Sequence, residues 1–466
     1  MSEKRFNGVW RILELGKKKY SGILSLQEDR ILLSLDDYYP KKHNGSFTQE
    51  SYETILGRTG DGKLITLHLC VKVRETNRAD LISGCQVLTK IFLIDRVLIG
   101  NHFSSVRKMK FNRMTITFDS MSEWMNISGF KSDYKHNEFG LGINVIFDPP
   151  KIVNLKIKRG IVAQISFSLE KNSIPKKSIA IQQKVFLSIV CKKKIHLTEL
   201  IAIKNHFLGF FTFALQKNTF VEQVFVSAEE RANPNKMCLT REVEVIEINP
   251  NLFSEFKSTS NILFFYTDIS SNCEKIIQNW FLKEDKLKRI LPSLFGWINR
   301  KSIYLEYNFI SLVHALEGFH RLFVGEQYME RDLYEQTVYK PLIGSIPPDL
   351  DRSHKNSLCN KILYGYEYSL RKRLTYLFSK YAITLNLPNS PKLNSCLSES
   401  LEKIINTRNY LVHVDNSLKS NVCFGKELFD QTFRCAKILQ IALLRELGFS
   451  KNQIIEIFTR SYGTHF

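Results

Sequence analysis

The sequence predicts an α+β protein, with a β-rich, sandwich- or barrel-like N-terminal region over residues 1–295 and an all-α helical bundle over residues 296–466. Before about residue 290, apolar and polar residues alternate in short runs between turn signals, which is typical of strands. After that point, apolar residues recur at spacings of three and four, the period of amphipathic helices. Hydrophobic residues make up 44% of the 466-residue chain, which is enough material for separate cores in two domains.

Turn signals separate the predicted strands of the N-terminal region, among them Gly60–Gly62 and Asp148–Pro150. The strand pattern restarts after Asp148–Pro150, so we also expect a subdivision near residue 150. The predicted strands are Tyr20–Leu35, Lys63–Val73, Met114–Phe118, Val153–Leu169, Gln183–Val190, Phe220–Val226 and Val243–Ile248.

Four long helices and a tail helix are predicted in the second region. A loop around Gly344–Asp351 separates the first two, and Gly448 ends the fourth. Four long amphipathic helices joined by loops predict an antiparallel bundle. Their apolar positions place the helices at Leu305–Phe323, Leu358–Leu377, Leu401–Val412 and Leu428–Leu447, with the tail beginning near Asn452.

The formal net charge is +20, which favours a polyanionic partner, either nucleic acid or an anionic membrane surface. A membrane surface is the less favoured of the two, because none of the predicted helices is a basic amphipathic one. The longest apolar run, Phe207–Leu215, falls short of the ~20 residues of a membrane-spanning helix. Residues 1–5 lack the apolar stretch of a signal peptide, and the nine cysteines are scattered. We therefore expect a cytoplasmic protein without a membrane partner.

The segment Glu402–His413 carries the most informative pattern. On a helix at ~100° per residue, five apolar side chains fall within about 60° of Arg408. A guanidinium in an apolar stripe is costly unless it meets a partner or a water-filled groove. Asn409 and His413 share the flank of this stripe. The pattern fits either an Arg with its head in solvent beside an ordinary helix-end His, or a functional Arg–Asn–His cluster. The stripe comprises Leu401, Ile404, Ile405, Leu411 and Val412.

The Arg408-Asn409-x-x-x-His413 spacing on the third bundle helix resembles the Arg–His motif of HEPN domains, including the polar residue that commonly follows the Arg. The first helix, through Asn308–Arg321, looks like the first HEPN helix of ApeA-like anti-phage proteins. A β-rich region of about 290 residues before that helix is similar to the layout of the same family. The resemblance covers essentially the whole chain.

The resemblance implies a metal-independent endoribonuclease without a cofactor, in which two copies pair and bring two Arg and two His into one cleft. It assigns His413 to acid–base chemistry, Arg408 to contact with the phosphate and the transition state, and Asn409 to orienting either one. Products would carry 2′,3′-cyclic phosphate and 5′-hydroxyl ends. The resemblance also implies abortive anti-phage defence, host RNA of the tRNA class as substrate, and a phage-derived trigger sensed by the N-terminal region.

Two further predictions accompany this one. Glu317, on the first bundle helix, is expected to pair with Arg408 and hold it in position. The run Arg371, Lys372 and Arg373 on the second helix is expected to contact the RNA backbone, although such runs are usually solvated faces.

Several other signals are better explained by structure than by chemistry. Gly57–Lys63 fits the first seven positions of a phosphate-binding loop, but Leu64 replaces the Ser or Thr that binds magnesium, so a hairpin turn is predicted. Glu317 and His320 have the spacing of a di-iron site without a matching second motif. The pairs His68/Cys70 and Cys191/His196 leave a structural zinc open, although strand-core cysteines explain them as well.

Two other classes of protein remain as alternatives. One is a non-catalytic HEPN module that binds nucleotide or a partner, with a β-sandwich recognition domain. The other is a carbohydrate- or protein-binding sandwich with a helical dimerisation tail. An intact Arg–His motif argues against the first alternative, and for the second an Arg408→Ala variant should keep full biological activity.

Overall fold

A computed structural model of the chain describes residues 4–27, 29–39, 51–79, 86–137, 140–174, 178–228, 242–247, 262–299, 304–382, 391–414 and 416–462. The chain divides into two compact units, Met1–Glu274 and Lys275–Phe466. The first is rich in strands and the second is helical, which confirms the predicted α+β class. The sequence-based domain boundary at residue 295 falls inside the helix Glu284–Asn299.

The first six strands form a closed antiparallel ring in the order β6–β3–β2–β1–β4–β5, because β5 pairs again with β6. Their buried core includes Trp10, Leu33, Ile55 and Phe92. The turn at Gly60–Gly62 joins β4 to β5, as the hairpin interpretation of this segment predicted. The strands are β1 (Lys4–Ile12), β2 (Tyr20–Leu26), β3 (Ile31–Tyr39), β4 (Ser51–Thr59), β5 (Leu64–Ala79) and β6 (Gln86–Ile99).

The remaining strands extend this sheet and add one separate hairpin. They are β7 (Lys110–Phe118), β8 (Phe130–Asn137), β9 (Gly140–Phe147), β10 (Val153–Lys158), β11 (Ile161–Ile174), β12 (Ser178–His196), β13 (Val221–Ser227) and β14 (Val243–Glu247). From β6 the sheet continues as β14–β13–β7–β12–β11–β10, whereas β8 and β9 pair only with each other in the described part of the chain. Because β7 lies between β12 and β13, the sheet runs across the predicted subdivision near residue 150.

Three helices, α1 (Met121–Met125), α2 (Leu197–Leu215) and α3 (Tyr266–Ile269), belong to the first unit. The longest, α2, contacts β7 and β12 and buries Phe207, Phe210 and Phe211 next to Trp124. The sequence analysis did not predict α2 as a helix, because a continuous apolar run has no helical period to detect. Among the described residues, no helix combines the length and apolarity needed to cross a membrane.

Ten helices of the described residues build the helical unit, the first beginning at the boundary between the two units, and two of the ten are longer than α2. They are α4 (Cys273–Leu282), α5 (Glu284–Asn299), α6 (Leu305–Phe319), α7 (Arg331–Tyr334), α8 (Lys340–Gly344), α9 (Arg352–Leu363), α10 (Leu370–Ala382), α11 (Pro391–His413), α12 (Gly425–Leu447) and α13 (Lys451–Tyr462), with π-helical turns at His320–Val324 and Glu335–Tyr339. Helix α6 is central and contacts α5, α10, α11 and α12.

The predicted first, third, fourth and tail helices correspond to α6, α11, α12 and α13. The predicted second helix is wrong as one continuous element, because residues 364–369 separate α9 from α10. The Tyr334 hydroxyl donates to the Ile362 carbonyl at 2.7 Å, and the Tyr366 carbonyl accepts from the backbone N–H of Tyr328 at 2.8 Å. These tertiary hydrogen bonds replace the helical ones at the break.

Candidate active site

Helix α11 places the Arg408–His413 segment at its C-terminal end, beyond the part of the helix that packs on the bundle. Leu401, Ile404 and Ile405 are buried, as the projected stripe predicted. The Thr407 hydroxyl is fully buried and accepts a hydrogen bond from the backbone N–H of Cys423 at 2.9 Å. This bond holds the returning chain against α11 one residue before Arg408.

The structure brings Arg408, Asn409 and His413 together. Arg408 Nη1 donates to Asn409 Oδ1 at 3.0 Å and lies 3.2 Å from His413 Nε2. The first two side chains are half-buried and His413 is exposed. Among the described residues, Arg408 has no carboxylate partner, so its remaining N–H groups stay available to an anion.

The contact is compatible with one neutral tautomer of His413. Because a guanidinium only donates, the Nε2 atom of His413 accepts and its proton lies on Nδ1. An imidazole whose Nε2 carries the lone pair can act as a base once that contact is released, and a guanidinium binds phosphate oxygens in a forked geometry. The cluster therefore has the groups for both proton transfer and phosphate binding.

The apolar stripe does not stay buried past Arg408. Leu411 is half-buried and Val412, predicted within the stripe, is 43% exposed. Val414 is 72% exposed and adopts a left-handed conformation with φ of 54°, while its N–H caps the helix by donating to the Tyr410 carbonyl. The exposure arises because this end of α11 extends beyond the packed helices. Exposed apolar side chains thus lie beside the polar cluster on the same helix end.

Glu317 has a different partner from the one predicted. Its carboxylate accepts from Arg321 Nη2 at 3.1 Å, one turn further along the chain, and the described residues show no contact between Glu317 and Arg408. Glu317 therefore pairs with Arg321 instead of holding Arg408, because residues four apart on a helix are neighbours.

The three residues of the predicted RNA-contacting run have different environments. Arg371 is exposed and forms a two-bond ion pair with Glu402 of α11, with Nη2 at 3.0 Å from Oε1. Lys372 is exposed, with its ammonium 5.6 Å from the centre of the Tyr368 ring. Arg373 is 2% exposed, so a contact between Arg373 and the RNA backbone is not available in this structure.

Arg373 instead belongs to a buried polar network that the sequence analysis missed. Its Nη1 donates to His320 Nδ1 at 3.2 Å, its Nη2 to Glu367 at 2.9 Å, and its Nε to the Tyr368 carbonyl at 2.8 Å. Burial, followed by the positive charges of Arg373, Arg321 and Lys380, lowers the pKa of His320 to about 4. The signal was present, because Arg373 lies at helical spacing among the apolar positions of α10.

The candidate metal ligands do not come together as a cluster. Within the described part of the chain, no group of three or more His, Cys, Asp or Glu side chains is arranged to hold a metal ion. His68 and Cys70 lie buried on β5, and Cys191 is buried on β12. Glu317 is hydrogen-bonded to Arg321, and His320 to Arg373.

These features define the class of protein. A β-rich unit followed by a helical bundle, with Arg and His together at the end of one long helix, is the arrangement of a HEPN-type protein. Two family models match the chain: ApeA N-terminal domain 1 over residues 5–280, and Apea-like HEPN over residues 310–453. The chain belongs to the ApeA family, and the HEPN domain supports an anti-phage effector of the nuclease type. No curated protein and no solved structure matches it.

Proposed function

We propose that the chain is a metal-independent endoribonuclease that cleaves host RNA, with tRNA as the substrate class, when phage infection triggers it. The observation that carries this proposal is the Arg408–Asn409–His413 cluster, in which a guanidinium without a carboxylate partner in the described residues contacts an exposed imidazole. The N-terminal unit senses the phage-derived trigger and restrains cleavage in its absence. The net charge of +20 supports a polyanionic substrate.

The reaction follows from the chemistry of these groups. A phosphodiester competes with His413 for the donors of Arg408, and its arrival frees the Nε2 lone pair. His413 then takes the ribose 2′-OH proton, the 2′-oxygen forms a bond to phosphorus, and the bond to the 5′-oxygen breaks. Arg408 stabilises the charge on the non-bridging oxygens, and Asn409 Oδ1 orients its guanidinium. The products are a 2′,3′-cyclic phosphate and a 5′-hydroxyl, once the leaving oxygen receives a proton.

The need to protonate the leaving 5′-oxygen supports a dimer. One chain offers one imidazole in the cluster, whereas the reaction uses a base and an acid at the same time. A second copy, related by a two-fold axis, supplies the other His413 and a second Arg408. The exposed side chains of Val412, Val414 and Phe424 are 43%, 72% and 54% accessible and provide an apolar surface for this pairing.

The test is cleavage of total RNA by purified full-length protein in EDTA, with and without lysate of phage-infected cells as the source of the trigger. His413→Ala and Arg408→Ala should each lower the cleavage rate by roughly 100-fold or more, the effect of losing an acid–base group or a charge stabiliser. The control is His314→Ala, which removes an exposed imidazole from α6. Sequencing of the RNA ends should detect 2′,3′-cyclic phosphate.

The same assay decides against the proposal in two ways. Wild-type protein that leaves RNA intact with the trigger present supports a non-catalytic HEPN module instead. Cleavage that persists at the wild-type rate in His413→Ala places the chemistry at other residues.

A further inference from the structure

We propose that one polar face of α9 is a binding site for the phosphodiester backbone of the RNA substrate. This proposal rests on the proposed ribonuclease function and adds a substrate-binding surface to it. The face borders an open groove of about 800 Å³. The residues that line it are Arg352, Ser353, Asn356, Ser357, Asn360 and Lys361.

The spacing of these residues places them on one side of the helix. Positions four apart along α9 lie one above the other, so the six side chains form two adjacent rows. The opposite side of α9 carries Lys355, Leu358 and Ile362, which are half-buried. The groove-lining face is therefore the solvent side of an amphipathic helix.

The charged side chains on this face, Arg352 and Lys361, are both positive. Between Arg352 and Tyr366 the sequence contains no Asp or Glu, and Asp351 accepts hydrogen bonds from the backbone N–H groups of Ser353 and His354. Among the described residues, neither Arg352 nor Lys361 has an ion-pair partner, whereas Arg371 and Arg373 both do. Positive charge without a carboxylate partner in the described residues is thus available on this face of α9.

The arrangement fits an extended polyanion better than a single phosphate. Arg352 and Lys361 are nine residues apart, which corresponds to about 14 Å along a helix axis. Asn and Ser side chains occupy the space between these cations. Arg, Lys, Ser and Asn are the side chains that contact phosphate and sugar oxygens in nucleic-acid complexes, and the 2′-hydroxyl of RNA adds a donor and an acceptor.

The face is connected to the helix of the candidate active site through α10. Helix α9 leads through residues 364–369 into the first turn of α10. There Arg371 is ion-paired with Glu402, which precedes Arg408 on α11 by six residues. RNA bound along α9 therefore lies on the same helical unit as the Arg408–His413 cluster.

The experiment measures RNA binding without cleavage, in full-length protein carrying His413→Ala. The probes are fluorescently labelled bulk tRNA and a 20-nucleotide poly(U), followed by fluorescence anisotropy at several salt concentrations. Adding Arg352→Gln together with Lys361→Gln should raise Kd roughly tenfold and make the slope of log K against log salt shallower by about 1.4, the value for two lost contacts.

Three controls make the result specific. Lys355→Gln removes one positive charge from the inner side of α9 and should leave the slope within about 0.3 of the parent. Arg352→Lys together with Lys361→Arg keeps both charges and should keep the slope. The far-ultraviolet circular dichroism of every variant should match that of the parent.

Two outcomes overturn the proposal, and they are distinguishable. If the His413→Ala parent binds RNA and the double Gln variant binds it equally well, α9 is not the binding face and the proposed ribonuclease function is untouched. If neither the parent nor wild-type protein binds or cleaves RNA, the proposed function and this inference both fail.

Discussion

The helical unit contains two arginine–histidine contacts of equal length in opposite surroundings. Arg373 Nη1 lies 3.2 Å from His320 Nδ1, and Arg408 Nη1 lies 3.2 Å from His413 Nε2. The first pair is almost completely buried, and a carboxylate, Glu367, neutralises its arginine. The second pair is half-buried to exposed and has no such carboxylate among the described residues.

The difference indicates which pair is structural and which is available for chemistry. Every guanidinium nitrogen of Arg373 donates to a protein acceptor and the side chain is 2% exposed, so an incoming phosphate cannot reach it. Arg408 uses a single nitrogen, Nη1, in both of its described contacts. A buried arginine with satisfied donors stabilises the packing of α6 against α10, whereas a half-exposed one with free donors can bind an anion.

The largest effect expected from this comparison is on stability. Arg373→Met should lower the free energy of unfolding of the helical unit by roughly 3 to 5 kcal/mol, because it removes the buried donor to His320 and the Tyr368 carbonyl and leaves Arg321 as the remaining arginine on Glu367. Arg408→Met should change it by less than about 1 kcal/mol, since that side chain is half-exposed. Hydrogen-exchange mass spectrometry on peptides from α6 and α10 measures both. Equal losses in the two variants would contradict the distinction.

Arg373 and Arg408 both lie among apolar positions of their helices, but the sequence pattern singled out Arg408 alone. Arg408 was identified because five apolar residues surround it on the helical projection. Arg373 has a comparable position near Leu370, Leu374 and Leu377, yet its neighbours Arg371 and Lys372 made the three look like a solvated charge run. Composition along the chain cannot separate such residues, because burial is set by the partner helix.

The fold was predictable where periodicity is strong and was missed where tertiary contacts decide. The change from alternating to helical spacing identified α6, α11 and α12, and Gly448 marked the end of α12. The break between α9 and α10 depends on hydrogen bonds to residues 328 and 334, which no local pattern reveals. The pairing of Glu317 with Arg321, by contrast, is local, because the two residues are four apart on a helical stretch, and this spacing was visible in the sequence.

A second effect concerns the dependence of stability on pH. The pKa of His320 is lowered from 6.5 to about 4, so the unfolded chain binds the proton more readily than the folded one. The contribution of neutral His320 is complete above pH 6.5 and is lost progressively as the pH falls towards 4. Between pH 7.5 and 5.0 the loss is about 2 kcal/mol.

Comparison of two variants isolates this contribution. His320→Gln should remove that part of the pH dependence, whereas His413→Gln, at the exposed pair, should retain it. The free energies come from hydrogen exchange of α6 and α10 at the two pH values, after correction for the intrinsic exchange rates. A pH dependence that His320→Gln leaves unchanged would show that other groups cause it.

The smallest expected effect concerns Val414, which follows the exposed Arg408–His413 pair on the chain. Val414, directly after His413, has φ of 54°, a conformation that a β-branched residue adopts at a cost of about 1 kcal/mol and that glycine adopts freely. Because its side chain is 72% exposed, the single chain gains little packing in return. In the proposed dimer the isopropyl group is buried against the second copy, which would offset the strain.

Val414→Gly should therefore stabilise the monomer and weaken the dimer. It should stabilise the end of α11 in the monomer by up to about 1 kcal/mol and raise the dimer dissociation constant roughly tenfold, because two side chains leave the interface. Hydrogen exchange of α11 and sedimentation velocity measure the two quantities. Val412→Thr, at a helical position without strain and with a similar helix propensity, should weaken the dimer without stabilising the monomer. If Val414→Gly stabilises the monomer but leaves the dimer unchanged, the strained valine does not serve dimerisation, and the apolar rim of the open Arg–His pair requires another explanation.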